Sequence, residues 1–344
     1  MKKTVLLVGN GFTINFLKHL GLQDEINTSL ASLMPPPQWV HIAHCGKWQL
    51  EQTLFTLQRF PYLTICYKQG RNFLDVCNEC SGYLVNPHAS IGRWTHNCGD
   101  VGLELRRYLH ALFVAYDLRI AEFCQKTKSA ADSEWRRIIE ILYHKSRLVC
   151  ISYNYDFNLE KYYLLPIARY IDSPTESAIY NYRQCTQSRL LCIKPHGCIT
   201  HVSPAEPFRR CDDFSAGNLC RQKCRINKPT NAVYPPPYLT VPDLVPPGHW
   251  NIHTMTPYST AFQAALVAIR EADIIIIVGF KGEGADLWET NLILKSIRSK
   301  TRILQISPER NFIGESCRNI CGHNFVKFDP KELSFVRSDI DCNT

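Results

Sequence analysis

The sequence predicts an α/β fold built on a mostly parallel sheet, and three observations carry that expectation. Short, mainly apolar runs recur at Lys3–Val8, Arg147–Ser152, Leu190–Ile193, Asp273–Val278 and Arg302–Ile306. A strand that is apolar at every position, not at alternate ones, is buried on both faces, as the strands of parallel sheets are. Several of these runs lead through a glycine turn into an amphipathic segment, and strands alternating with helices imply right-handed crossovers. Finally, 344 residues of which 45% are hydrophobic and 20% charged supply enough apolar material for a sizeable core.

Taken in order, the first element is the strand within Lys3–Val8, turned by Gly9-Asn10-Gly11 into a helix around Phe12–Leu20. The opening MKKTVLLV imitates an export signal, but the apolar run breaks at Gly9, short of the ~7–15 residues such a signal needs. A buried strand is the better reading, and no export signal is expected. Residues 21–100 then lose the alternation: Pro35-Pro36-Pro37 and a Gly/Asn/Cys-rich stretch from Gly70 to Gly99 interrupt it. Val101–Gln125 and Asp132–Lys145 carry apolar positions at three- and four-residue spacing, which predicts two amphipathic helices. The expected organisation is a nucleotide-binding unit formed by residues 1–20 and 145–344, with 21–144 a largely helical insertion.

The second half resumes with the strand Arg147–Ser152, a helix over Asp156–Ile171 that Pro166 kinks or ends, and the strand Leu190–Ile193. Residues 203–257 are proline-rich and read as irregular. The helix Ser259–Glu271, strand Asp273–Val278, glycine turn, helix Ala285–Ser299 and strand Arg302–Ile306 close the pattern. No apolar run approaches the ~18–20 residues of a membrane span, so no membrane association is expected. The 16 cysteines include several inside apolar strands (Cys66, Cys150, Cys192), where a thiol acts as a small hydrophobe, and a reducing cytoplasm is expected. A net charge of +8 suits a polyanionic partner, either a nucleotide or a nucleic acid.

Candidate chemistry collects at strand ends, where parallel sheets bind ligands. Gly9, Asn10, Gly11, Phe12 and Thr13 form a turn that lets backbone approach a pyrophosphate and offers helix N–H groups to it; the alternative is a plain strand-to-helix turn. A dinucleotide dehydrogenase is disfavoured, because Ile14 stands where a third glycine is needed and no second strand ends in an acidic residue. Asn154, in Ser152-Tyr153-Asn154-Tyr155-Asp156, can both donate to and accept from a ribose hydroxyl or water, or simply close a turn. Asp156 reads first as the N-cap of the next helix, and otherwise as a ligand group. His196, in Lys194-Pro195-His196-Gly197, is placed as a base at a strand end. Gly279, Phe280 and Asp286 lie in a further glycine-rich turn that either forms a second wall of a dinucleotide site or joins two elements.

Together these motifs resemble the sirtuin-like (silent information regulator) superfamily, and within it the divergent bacterial branch associated with antiphage defence. Gly9-Asn10-Gly11-Phe12-Thr13 is similar to that branch's glycine motif, Ser152–Asp156 to its Thr-x-Asn-Tyr-Asp, and Lys194–Gly197 to its Lys-x-His-Gly. Val245-Pro246-Pro247 is similar to its downstream proline step, and Ala272 through Asp286 to its Ala-Asp, strand, Gly-Tyr-Ser, Asp segment. The order holds from residue 4 to about 307, with the 21–144 insertion unmatched. Lys281 departs from the usual small hydroxyl residue, and Ile306-Ser307-Pro308 from the Asn-Pro-like end.

The resemblance implies a Rossmann-like sheet with flanking helices, NAD as substrate, and hydrolysis of its nicotinamide–ribose bond to nicotinamide and ADP-ribose. It further implies a cytoplasmic defence effector that depletes NAD, as a homo-oligomer or under an activating partner. Nicotinamide departs neutral, so an oxocarbenium-like transition state needs positioning, an oriented water and a base rather than a general acid. On this reading His196 is the base, Asn154 holds the ribose or attacking water, and the Gly9–Thr13 turn anchors the pyrophosphate.

Two alternatives stand beside it. One is NAD-dependent protein deacylation, whose enzymes carry a zinc ribbon of two Cys-x-x-Cys pairs after the histidine motif. Here Cys198, Cys211, Cys220 and Cys224 do not pair that way and the sole Cys-x-x-Cys is Cys77–Cys80, so no metal site is expected, a zinc held by Cys77, Cys80 and Cys98 or Cys220 with Cys224 being the lesser reading. The other is a non-catalytic nucleotide- or nucleic-acid-binding protein using Arg209, Arg210, Arg221, Lys223, Arg225 and Lys228, a run diluted by Asp212 and Asp213.

Overall fold

A computed structural model of the chain describes residues 1–46, 49–85, 91–127, 133–167, 189–204, 240–244, 258–284 and 287–343. In chain order the first half contains β1 (Lys2–Val8), α1 (Asn10–Leu20), β2 (His41–Gly46), β3 (Gln49–Leu54), α2 (Pro61–Lys68), α3 (Phe73–Val85), α4 (Ile91–Thr127) and α5 (Ser133–Lys145). The second half contains β4 (Ser146–Ser152), a π-helical turn (Glu160–Leu164), β5 (Leu190–Ile193), β6 (Gly197–Pro204) and β7 (Thr240–Leu244). It closes with α6 (Tyr258–Glu271), β8 (Ile274–Val278), α7 (Leu287–Ser296), β9 (Arg302–Ile306), α8 (Phe312–Cys321), β10 (Phe325–Phe328) and α9 (Leu333–Asn343).

Six strands form one sheet in the order β10-β9-β8-β1-β4-β5, and every neighbouring pair is parallel. From β1 the next two sheet strands in sequence, β4 and β5, step outward on one side, whereas β8, β9 and β10 step outward on the other. This is the doubly wound, Rossmann-like order, and the reversal between β1 and β8 creates a crevice at the carboxyl ends of those two strands. The expected α/β class, with a parallel sheet, flanking helices and a largely helical insertion, is therefore what the chain forms.

The central strands are apolar on both faces because both faces are covered. Val5, Leu6, Leu7 and Val8 of β1, and Ile274 through Val278 of β8, are all buried. Phe12, Phe16, Leu17 and Leu20 give α1 its buried stripe, Ile138, Ile139 and Leu142 do so for α5, and Phe262, Ala265 and Ile269 for α6. α1 ends at Gly21, whose left-handed φ of 73° lets its N–H return to Lys18 O while Leu22 N–H reaches Leu17 O. Residues 21–144 add no strand to the main sheet among the described residues; they contribute the antiparallel pair β2–β3 and helices α2 to α5. Among the described residues no helix is long and apolar enough to cross a membrane.

Several expectations need correction. The Gly70–Gly99 stretch is not a break: α3 occupies much of it and α4 begins at Ile91, ten residues before the periodicity predicts. Of the helix expected over Asp156–Ile171, residues 158–164 are helical, with π geometry over Glu160–Leu164; turn residues follow through Ile167 around Pro166, and residues 168–171 lie outside the described residues. Of the region read as irregular, Thr240–Leu244 forms β7 and pairs antiparallel with β6. β10 and α9 were not anticipated; Phe325–Phe328 is only half-buried at the sheet edge, so it lacks the continuous apolar signature of the central strands.

Candidate functional site

The turn after β1 and the turn after β8 are pressed together. Gly9 N–H donates to Val278 O at 2.9 Å, and Gly11 N–H donates to Gly279 O at 3.0 Å. A Cβ on Gly9 would lie 2.6 Å from Gly279 O, and one on Gly279 would lie 2.4 Å from Phe12 N. Gly279 also sits at φ 60°, which favours glycine by itself. Gly9, Gly11 and Gly279 are thus explained first by this backbone-to-backbone approach. It also consumes donors expected to face a phosphate: of the first-turn N–H groups of α1, Gly11 reaches Gly279 and Phe12 returns to Gly9 O, while Asn10 N–H has no acceptor among the described residues.

The other members of the first motif divide by role. Asn10 Nδ2 donates to Thr28 O at 2.9 Å and ties the start of α1 to the chain beyond it. The Phe12 ring is core, edge-on to Trp135 and Tyr163 at centroid distances of 5.4 and 5.3 Å. Thr13 is buried at the centre of a polar chain. Asn154 Nδ2 donates to Thr13 Oγ1 at 2.9 Å and to Gly9 O at 3.2 Å, and Thr13 Oγ1 donates to Asp156 Oδ2 at 2.7 Å.

Both amide hydrogens of Asn154 are spent on Gly9 and Thr13, so its Oδ1, which takes no hydrogen bond among the described residues, is the group left for a ligand. Asp156 Oδ1 accepts from Asn158 N–H at 3.0 Å, a capping-type role. Burial pushes the Asp156 carboxyl above the usual range, against the lowering influence of Lys194 and its hydrogen bonds.

Lys194-Pro195-His196-Gly197 is a tight turn closed by Gly197 N–H donating to Lys194 O at 3.0 Å, with Pro195 presetting its first corner and His196 on the second. Lys194 points into the protein: its ammonium donates to Asp156 O at 2.5 Å and pairs with Glu160 Oε1 at 2.9 Å. Burial opposes that charge, but Cys198, Glu160, Asp156 and Cys192 around it outweigh burial and raise its pKa. Its work is to lock the Asp156–Glu160 segment against the β5 turn, which holds Asn154 and His196 in one frame.

His196 Nε2 lies 2.8 Å from Glu289 Oε1 in the first turn of α7. The Tyr153 ring stands edge-on to the imidazole at 4.9 Å and 86°, and Phe280 lies 4.8 Å from Tyr153 at a tilt of 34°. Sequence reasoning missed Glu289. The acidic residue in the first turn of a helix was visible, but nothing local links it to a histidine 93 positions earlier.

These groups open on one cleft of about 1070 Å³ at the carboxyl ends of the strands, lined by Gly9 to Phe12, Tyr153 to Asp156, His196 and Gly279 to Glu283. It continues past the end of β9 at Ser307 to the end of β10 at Asp329 and Lys331. That volume is at the upper end of small-molecule sites, ~300–1,000 Å³. The structure therefore brings Asn154, His196, Asp156, Phe280 and the glycine turn together. Lys281 is exposed and lines the same cleft.

Asp286, the Val245-Pro246-Pro247 step, the Arg209–Lys228 basic run and Cys220 with Cys224 lie outside the described residues. Among the described residues no three His, Cys, Asp or Glu side chains are grouped to hold a metal ion. Searches with the sequence returned no matching protein-family model and no matching curated protein.

Proposed function

We propose that this protein is an NAD glycohydrolase that cleaves the nicotinamide–ribose bond and releases nicotinamide and ADP-ribose. The observation that carries the reading is the meeting of His196 and Asn154 in one cleft at the β1/β8 crevice, where doubly wound sheets bind dinucleotides. A cleft of about 1070 Å³ lined from the β1 turn to the end of β10 suits a dinucleotide, and the dipole at the start of α1, where Asn10 N–H has no acceptor among the described residues, suits its pyrophosphate.

In this reading the C1′–N bond breaks with its electron pair passing to nicotinamide, which leaves neutral. The oxygen of a water molecule bonds to C1′, and its proton passes to the His196 imidazole. Asn154 Oδ1 accepts a hydrogen bond from the ribose hydroxyl or the attacking water, while its amide hydrogens remain on Gly9 O and Thr13 Oγ1. The side chains act by positioning and proton transfer, contributions of about 10²–10⁴-fold for a placed base. In a cell the consequence is depletion of the NAD pool.

The test is chromatographic measurement of nicotinamide release from NAD by the purified full chain, with an acylated-lysine peptide in a parallel arm. NAD cleavage without the peptide, reduced about 100-fold or more in His196→Ala and in Asn154→Ala, is the expected result. Equal turnover in wild type and both variants would remove these residues from the mechanism. Cleavage only with the peptide would favour deacylation.

A further inference from the structure

We propose that Glu289 is the positioning carboxylate of His196: it orients the imidazole, fixes which nitrogen carries the proton, and stabilises the imidazolium formed when the ring takes a proton. This role rests on the NAD-cleaving reading above. Glu289 stands behind the ring rather than beside the substrate, since His196 lines the cleft and Glu289 does not. Its Oε1 is 2.8 Å from His196 Nε2, and only 7% of the residue is exposed.

The burial is informative because it is costly. Glu289 Oε2 is buried and has no hydrogen-bond partner among the described residues, so this carboxylate is desolvated for a single side-chain contact. An apolar residue of similar size would fill the same space at lower free energy. The position does favour negative charge, being in the first turn of α7 at the positive end of the helix macrodipole. A further contact on the ring is aromatic: Tyr153 meets it edge-on, and Phe280 lies 4.8 Å from Tyr153. With Nε2–H donating to the carboxylate, the basic lone pair resides on Nδ1, and the charge gained on protonation sits next to an anion.

The experiment compares the full-length wild type with Glu289→Gln, which keeps shape and removes charge, and Glu289→Asp, which keeps charge and shortens reach. Long-range ¹H–¹⁵N correlation of the ¹⁵N-histidine-labelled protein reads the His196 tautomer without any NAD, using His196→Gln to assign its signals. Nicotinamide release reads kcat and KM separately. The wild type is expected to carry its proton on Nε2; Glu289→Gln is expected to lose that single tautomer and to drop kcat about 100-fold while KM stays within about threefold. Glu289→Asp is expected to recover part of both readouts.

A wild type that cleaves NAD beside a Glu289→Gln variant with the same tautomer and kcat would overturn the positioning role alone. A wild type that leaves NAD intact would overturn the functional reading and the role with it, whatever the spectra.

Discussion

Gly279→Ala tests the close approach on which the cleft depends. The added Cβ would meet Phe12 N at 2.4 Å and Gly11 Cα at 2.5 Å, both backbone atoms that cannot swing aside. It would also force an L-residue to hold φ 60°, which costs about 1–2 kcal/mol. Displacing packed backbone adds about 1–3 kcal/mol, so the expected loss of stability is about 2–5 kcal/mol. Two controls separate the contributions. Gly21 also has a left-handed φ, of 73°, but nothing lies within 4 Å of its would-be Cβ, so Gly21→Ala should cost about 1–2 kcal/mol. Gly9 has an ordinary φ of −118° but its Cβ would fall 2.6 Å from Gly279 O, so Gly9→Ala carries the clash alone, about 1–3 kcal/mol. Urea unfolding followed by circular dichroism measures all three. Gly279→Ala no more destabilising than Gly21→Ala would mean that no backbone clash exists at this turn.

Other consequences are equally accessible. Lys161 Nζ lies 3.0 Å from Asp117 Oδ2 with both side chains buried, so Lys161→Met should destabilise by about 3–5 kcal/mol, and a thermal unfolding midpoint equal to wild type would contradict this. Burial pushes His110 down to about 4 from 6.5 despite the hydrogen bond that joins its Nε2 to Ile199 O, so the unfolded chain takes this proton first. Its contribution is complete above pH 6.5 and is lost as pH falls towards 4, about 3 kcal/mol in all; urea midpoints of wild type should fall across that window more than those of His110→Gln. Thr13→Val removes the hydroxyl between Asn154 and Asp156, which should cost about 2–4 kcal/mol in unfolding experiments and reduce nicotinamide release about tenfold.

What was legible in the sequence follows the physics of burial. β1, β4, β5, β8 and β9 are short runs covered on both faces, and their expected bounds fall within one residue of those observed. α3 and the start of α4 were not legible because glycine and asparagine disfavour helix locally. Packing overrides that preference: Phe73, Val76 and Cys77 of α3 are completely buried. The turn at Glu160–Leu164 reads as an ordinary helix in one dimension; its buried ties from Glu160 to Lys194 and from Lys161 to Asp117 are visible only once β5 and α4 are in place.

At the site, Asn154 and His196 could be picked out because each follows a buried strand. That the Asn154 amide would clasp Gly9 and Thr13, and that Lys194 would turn inward, are long-range facts. Glu289 is the extreme case, since its meaning comes entirely from the histidine it faces.

The most direct test of the account is the fate of water oxygen. The purified chain is incubated with NAD in H₂¹⁸O and the products are weighed by mass spectrometry. Hydrolysis at C1′ is expected to give nicotinamide and ADP-ribose in equal amounts, with one ¹⁸O in the ADP-ribose and none in the nicotinamide. NAD that stays intact, or ADP-ribose formed without the label, would contradict it.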